Sequence, residues 1–407
     1  MNFLFAWRYF KAKKSANAIN IIAWVTVSVI AFATACQILV LSVFNGFEDL
    51  VKSLYAAFYT DIKITPASGK TCILSNEQLK LLRQQPGING ISLIAEEKAL
   101  LKNGDDQTIV YLKGVDSNYI KVTGVGSKIV DGVFYTGTID DPRLVVGAGI
   151  QNAISVSVDD PNISKLTIIL PKIKINSSDP LESLSEGSAK AAGVFAIQQE
   201  FDSKYAITNI DFVKNQMGFA PDEYSAAEIK LNTRADVEVM QQQLSKLLGN
   251  KYIIQTKYEQ NTSLYSTMKL EKWFIYAILT LILIIAAFNM VSALTMLVLE
   301  KKKDISILQS MGASKSRILK IFLSEGLLLG SIGTATGVLL ATNICIIQLK
   351  YKLVKLQGGS FLIDYFPVKL QLGDFLLVAT TALIIAFIAS WLPALKAASQ
   401  TPELKGS

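Results

Sequence analysis

The sequence predicts a membrane protein of four transmembrane helices carrying an α+β domain held outside the membrane. Three observations predict it. Four apolar stretches reach spanning length: Ile19–Phe44, Trp273–Leu299, Ile318–Leu349 and Phe375–Leu395. At ~1.5 Å per residue, the run from Trp273 to Leu299 makes ~40 Å of helix, enough to cross a ~30 Å hydrocarbon core with tilt. Between the first two stretches lie roughly 225 residues of soluble composition, enough for a sizeable core. Charge divides the chain in the same way. Residues 48–270 carry 23 Lys+Arg against 26 Asp+Glu, and the remainder carries 17 against 7. The basic excess thus lies beside the spans, where it reports topology and argues against nucleic acid as a partner.

The lysines and arginines orient the spans. Segments read as inside hold Arg8, Lys11, Lys13, Lys14, Lys301 to Lys303, Lys315, Arg317, Lys320, Lys396 and Lys405, while the short outside loop 350–374 holds four lysines. Both termini are read as cytoplasmic and residues 46–272 as extracytoplasmic. Within residues 1–18, Met1–Lys14 alternates aromatics with basic residues, as in a helix on the inner surface or a simple positive flank. The first span covers 19–45. Its Ala33-Thr34-Ala35-Cys36 looks like a lipoprotein cleavage box, but the apolar run continues through Leu41, so the segment is read as an uncleaved anchor.

The helix is expected to continue to about Tyr59. A strand over Asp61–Thr65, a helix opened by the capping box Ser75-Asn76-Glu77-Gln78 and a hairpin turning at Asn103-Gly104-Asp105-Asp106 follow. Near the far end of the domain the order recurs, with a strand over Ala226–Leu231, a helix from Ala235 to Leu248 capped by Thr233, and a strand over Tyr252–Gln255. Two β-α-β halves, 46–115 and 224–263, suggest a split ferredoxin-like subdomain interrupted by an insertion at 116–223. Within the insertion, strands are expected at Arg143–Val146, Lys165–Leu170 and Ala192–Ile197, with a projecting hairpin or loop at Pro171–Lys190. Residues 264–272 lead into the second span, 273–299. The third (318–349) has Gly326/Gly330 and Gly333/Gly337 at small-xxx-small spacing, which favours close helix packing. The fourth covers 375–395, and 396–407 is a tail.

Candidate chemistry is sparse. There is no histidine, which removes His-based catalysis and the commonest metal ligand. Of the three cysteines only Cys72 lies in the outer domain, so that domain has no internal disulfide. Ser68-Gly69-Lys70-Thr71 looks like the end of a P-loop, but Ile64 stands where the spacing requires glycine, so ATP is not expected to bind this chain. The carboxylate pairs Glu96-Glu97, Asp105-Asp106 and Asp159-Asp160 read as solvated, and no catalytic residue is assigned. Gln37, Asn289 and Glu325 lie within spans, as packing contacts or along a substrate path. Residues 300–314 admit two readings. They form a positive turn between spans, or an amphipathic docking helix with Ile305, Leu308 and Met311 on one face and Gly312 as its stop.

Several blocks, taken in order, resemble the lipoprotein-releasing (Lol) permease subunits of the FtsX-like, MacB-like ABC permease superfamily. They are Phe5-Ala6-Trp7-Arg8-Tyr9, Leu41 through Glu48 (LSVFNGFE), Lys113-Gly114-Val115-Asp116, Ala286 through Ser292 (AAFNMVS) and Glu300-Lys301 through Ala313. The resemblance implies four spans and an outer domain of split ferredoxin-like (Porter) and inserted β-rich (Sabre) parts. It implies a second permease subunit, the same chain or a sister, and a separate ATPase that holds ATP and Mg; no cofactor is bound by this chain. The ATPase would dock on the segment containing Glu300, Asp304, Ile305, Leu308, Gln309, Met311 and Gly312. Residues 264–272 would act as a stalk that transmits motion to the outer domain. Lipoprotein acyl chains would enter a cavity lined by Val40, Phe44, Asn45, Ile285, Phe288 and Asn289. Pro171, Lys172, Asp179 and Pro180 stand where one subunit type recruits a periplasmic carrier. The implied function is ATP-driven extraction of lipoproteins from the outer leaflet of a bacterial inner membrane. The alternatives are a related mechanotransmission permease with another client, such as a cell-wall hydrolase or efflux partner, and a membrane-anchored binding or sensor protein needing no ATPase.

Overall fold

The computed structural model describes residues 17–158, 165–173, 183–356 and 363–400, so the N-terminal block, Asp179, Pro180 and the tail beyond 400 lie outside the described residues. The chain divides into two compact units, Met1–Leu50 with Ser266–Ser407 and Val51–Tyr265. Its principal helices, in chain order, are α1 (Asn17–Phe58), α2 (Asn76–Gln84), α3 (Ile210–Met217), α4 (Val237–Leu248), α5 (Thr262–Glu300), α6 (Lys302–Ser310), α7 (Lys315–Tyr351) and α8 (Leu372–Ala398). Four of them, α1, α5, α7 and α8, are long and apolar enough to cross a membrane. Helices α1 and α5 extend well beyond the predicted spans, the first to Phe58 as expected and the second back to Thr262 without a break at the expected stalk.

The first unit is a helix bundle whose close approaches are set by small residues. The four glycines of α7 divide their work between two neighbours. A Cβ on Gly326 or Gly330 would lie 2.3 Å from the Cβ of Ser390 and 2.5 Å from that of Ala386, both on α8. A Cβ on Gly333 or Gly337 would meet Ile30 Cβ at 2.9 Å and the Ala31 carbonyl oxygen at 2.5 Å, both on α1. The two small-xxx-small pairs thus seat two different helices, and the bundle core of Val27, Ile30, Met290, Leu294, Leu329 and Ala386 closes around them. Gly330→Leu is expected to destabilise the bundle by ~1–3 kcal/mol or more through overpacking. Detergent-solubilised variant should show a lower midpoint for thermal aggregation than wild type; an unchanged midpoint contradicts this packing.

The second unit is built on a ten-stranded sheet. Its strands are β1 (Ile62–Pro66), β2 (Cys72–Ile73), β3 (Ile88–Asn103), β4 (Asp106–Val115), β5 (Ile129–Gly132), β6 (Arg143–Gly147), β7 (Lys165–Pro171), β8 (Leu184–Phe195), β9 (Tyr205–Asn209), β10 (Glu223–Tyr224), β11 (Ala226–Leu231) and β12 (Tyr252–Thr256). Their order is β12-β1-β11-β3-β4-β9-β6-β8-β5, with β7 against β3 and β8, while β2 and β10 pair separately. The block β12-β1-β11-β3 is antiparallel throughout. β3 is long enough to pair with β11 near its start and with β4 and β7 further on, so the inserted strands continue one sheet instead of forming a sheet of their own.

Local signals explain the elements. The Ser75–Gln78 capping box is formed at the start of α2. Asn103 pairs with Asp106 across a two-residue turn, in which Gly104 takes φ 59°. The helix expected from Ala235 begins instead at Val237, because Asp236, and not Thr233, accepts the Val239 amide as its cap. The predicted Pro171–Lys190 hairpin has its base in the pairing of Pro171 with Leu184; its residues 174–182 lie outside the described residues.

Candidate functional site

Between α5 and α7 the chain forms a separate helix, α6, as the docking reading of residues 300–314 requires. Its face is turned from the one expected. Ile305 is buried against Val298, Ile318, Phe322 and the two alanines Ala394 and Ala397, and so anchors α6 to the bundle. Leu308 is half-buried, and the large apolar side chains left outward are Ile307 and Met311, four residues apart and 59% and 79% exposed. Gln309 also faces the bundle, donating from Nε2 to the Gln400 carbonyl oxygen at 2.9 Å. Asp304 pairs with Lys301 at 3.3 Å, Glu300 is exposed, and Gly312 ends the turn at φ 90°. The sequence places an apolar ridge on α6 but cannot separate its anchoring side from its outward side, since both carry isoleucine.

The expected cavity residues split into two groups. Val40, Ile285, Phe288 and Asn289 are exposed along α1 and α5, and Phe44 is half-buried. On α5 they belong to a continuous outward apolar stripe through Phe274, Ile278, Leu281, Ile285 and Phe288, at steps of four and three residues. Asn45 is not on such a face. It is 1% exposed; its Nδ2 donates to Asp374 Oδ2 at 2.6 Å and its Oδ1 accepts from Lys272 Nζ at 2.8 Å. Its neighbours complete a seat for the loop before α8. Gly46 admits the Pro367 carbonyl, to which an added Cβ would approach within 2.3 Å of the oxygen, and Phe47 meets Phe366 edge-on with ring centroids 5.9 Å apart. Gly46 and Phe47 therefore pack the loop before α8, while Asn45 links α1 to Lys272 on α5 and Asp374 on α8.

In the second unit, the Lys113-Gly114-Val115-Asp116 block is also structural. Lys113 Nζ pairs with Glu228 at 2.7 Å, with the two side chains 2% and 4% exposed. The ammonium sits over the rings of Phe58, at 4.7 Å, and Tyr119, at 5.1 Å. Phe58 also stacks on Phe201 at 4.5 Å and packs beside Tyr205, so the last turn of α1 enters an aromatic core. Burial pushes the Tyr119 and Tyr205 phenols far above their ordinary range, with the carboxylates Glu228 and Glu96 adding to the effect. Asp116 accepts from the Ser92 hydroxyl at 2.6 Å and from the Leu93 and Asn118 amides. Sequence reasoning missed Glu228, which lies 115 residues from Lys113 and has no local signal. Among the described residues no group of three His, Cys, Asp or Glu side chains could hold a metal ion.

The family model for a MacB-like periplasmic core domain matches residues 23–247, and that for an FtsX-like permease C-terminal region matches residues 276–402. The chain is 27% identical to the lipoprotein-releasing system transmembrane protein LolE of Haemophilus influenzae, over 98% of this chain and 97% of that protein. It is equally 27% identical to the lipoprotein-releasing system transmembrane protein LolC of Neisseria meningitidis, with the same coverage. Among solved structures, the periplasmic region of MacB from Actinobacillus actinomycetemcomitans aligns with a TM-score of 0.36 at 14% identity, covering 52% of this chain and 94% of that one.

Proposed function

Because the chain belongs to the family with a MacB-like periplasmic core domain, joined here to an FtsX-like permease C-terminal region, we propose that it is the transmembrane subunit of a lipoprotein-releasing ABC transporter. The observation that carries this reading is similarity over nearly the whole length to relatives named for lipoprotein release. The chain is an inner-membrane protein with a periplasmic domain, and we place both termini in the cytoplasm on the lysine distribution. We read the block β12-β1-β11-β3 as the split ferredoxin-like (Porter) part and the inserted strands as the Sabre-like part.

The chemistry asks for coupling to an energy source. Each CH₂ of an acyl chain contributes ~0.8 kcal/mol to membrane retention, so a multiply acylated lipoprotein does not leave unaided. The chain itself is non-catalytic on this reading, and ATP with its Mg belongs to a separate ATPase subunit. α6 is the contact for that ATPase, through Ile307 and Met311. Residues 264–272 of α5 are the lever. The outward stripes of α1 and α5, with Val40, Phe44, Ile285, Phe288 and Asn289, form one wall of the acyl-chain cavity, which a second permease subunit closes. The β7–β8 hairpin, with Pro171 and Lys172 at its base, is the candidate contact for a periplasmic carrier.

Purification of the tagged chain from its native membrane in mild detergent, with mass spectrometry of retained partners, tests the assembly. A P-loop ATPase together with acylated lipoproteins is expected. A cell-wall hydrolase or efflux partner in place of lipoproteins, or no ATPase in an intact complex, overturns the reading. Ile307→Asp with Met311→Asp is expected to abolish ATPase retention while leaving the chain in the membrane, because a charged outward face cannot seat in an apolar groove. Undiminished retention removes α6 as the contact.

A further inference from the structure

The two halves of α5 are held by different means. Between Thr262 and Ile282 none of its residues is buried, whereas seven are buried between Leu283 and Val298. The second half is fixed by close packing against α1, α7 and α8, which cannot yield without opening voids. The first half packs less deeply, with only Ile275 and Tyr276 set against the apolar cluster of Ile38, Leu41 and Val378, and adds polar contacts along one stripe, Lys272, Tyr276 and Thr280, at i, i+4 and i+8. Lys272 Nζ donates to Asn45 on α1 at 2.8 Å and to Asp374 Oδ2 on α8 at 3.2 Å, and Asn45 donates to the same carboxylate. The Tyr276 hydroxyl bonds the Thr381 hydroxyl on α8, and Gln37 Nε2 on α1 donates to the Thr280 hydroxyl at 3.1 Å. The partners keep helical register, eight residues apart on α1 and seven apart on α8.

We propose that Lys272, Asn45 and Asp374 form a latch that closes the first half of α5 onto α1 and α8, and that α5 opens about a hinge near Leu283 when the latch releases. Directional contacts are made or lost together and re-form in one register, so the arrangement has two states instead of a continuum. The place of the ion pair suits release. The Lys272 side chain is 26% exposed and that of Asp374 12%, at the membrane rim, so both charges regain water when they separate. The coupling of the opening to nucleotide, and its purpose, admission of acyl chains beside Val40 and Phe44, rest on the proposed function.

Distances between spin labels in the complete transporter, in lipid nanodiscs, test the latch. Labels at Phe274 and Leu376 report the first half of α5 against α8, and labels at Leu299 and Leu392 report the second; all four side chains are exposed. Lys272→Met is expected to lengthen the first distance and to leave the second unchanged. Exchange of the charges, Lys272→Asp with Asp374→Lys, should restore the first distance. Nucleotide trapping of the unsubstituted transporter should produce the same one-sided change, and so decides the question even where a variant misfolds. An unchanged first distance in trapped transporter, or equal changes at both positions, overturns the latch. Failure of the unsubstituted transporter to release lipoprotein overturns the proposed function instead, and leaves the distances to decide the latch.

Discussion

Lys113→Ala is expected to destabilise the periplasmic domain by about 3–5 kcal/mol, a large share of a domain's stability. The pair it breaks is almost fully dry, so removing the ammonium strands Glu228 as an uncompensated buried charge. The loss also takes the cation from above Phe58 and Tyr119 and so loosens the seat of the α1 terminus. Replacing both partners, Lys113→Met with Glu228→Leu, is expected to recover most of the loss, since a buried ion pair exchanged for apolar residues of similar volume is often close to neutral. Hydrogen exchange of the β4 and β11 amides in the full chain measures both. A single variant within 1 kcal/mol of wild type, or a double variant as unstable as the single, would contradict this account of the core.

Gly46→Ala should detach the loop before α8 although alanine is the better helix former. Intrinsic propensity favours the substitution by ~1 kcal/mol. Against it, the new Cβ would lie 2.3 Å from the Pro367 carbonyl oxygen and 2.4 Å from its carbon, backbone atoms that no rotamer change can move. Overpacking of this kind costs ~1–3 kcal/mol, so sterics win. The Lys369 amide, which donates to the Ser42 carbonyl oxygen at 2.9 Å, is the reporter. Its exchange should accelerate by roughly tenfold for each 1.4 kcal/mol lost. Unchanged exchange together with a more stable helix would show that the loop shifts without cost.

The spans, the Gly104 hairpin turn and the capping box at Ser75 were legible because each is written in contiguous residues with a known period or dihedral requirement. The helix between the second and third spans was one of two readings of residues 300–314, the other a positive turn. Which way that helix faces was not legible, since Ile305 and Ile307 are chemically equivalent and only the packing of Phe322 and Ala397 separates them. Asn45 was expected in the cavity only through the family resemblance; its burial depends on Asp374, 329 residues away. The continuation of the sheet from β3 through β4 and β9 was hidden for the same reason, since a parallel β4–β9 pairing leaves no local mark. The Lys272 stripe is different. Its i, i+4, i+8 spacing is visible in the sequence, but its meaning emerges only with partners on α1 and α8.

ATP-dependent release from proteoliposomes tests the central claim most directly. The purified chain, assembled with its ATPase and second permease subunit, is reconstituted with a triacylated lipoprotein, and lipoprotein in the soluble fraction is measured with a periplasmic acceptor present. The account predicts release that requires ATP hydrolysis and disappears with Ile307→Asp and Met311→Asp. Hydrolysis that proceeds while the lipoprotein stays in the vesicles would contradict it.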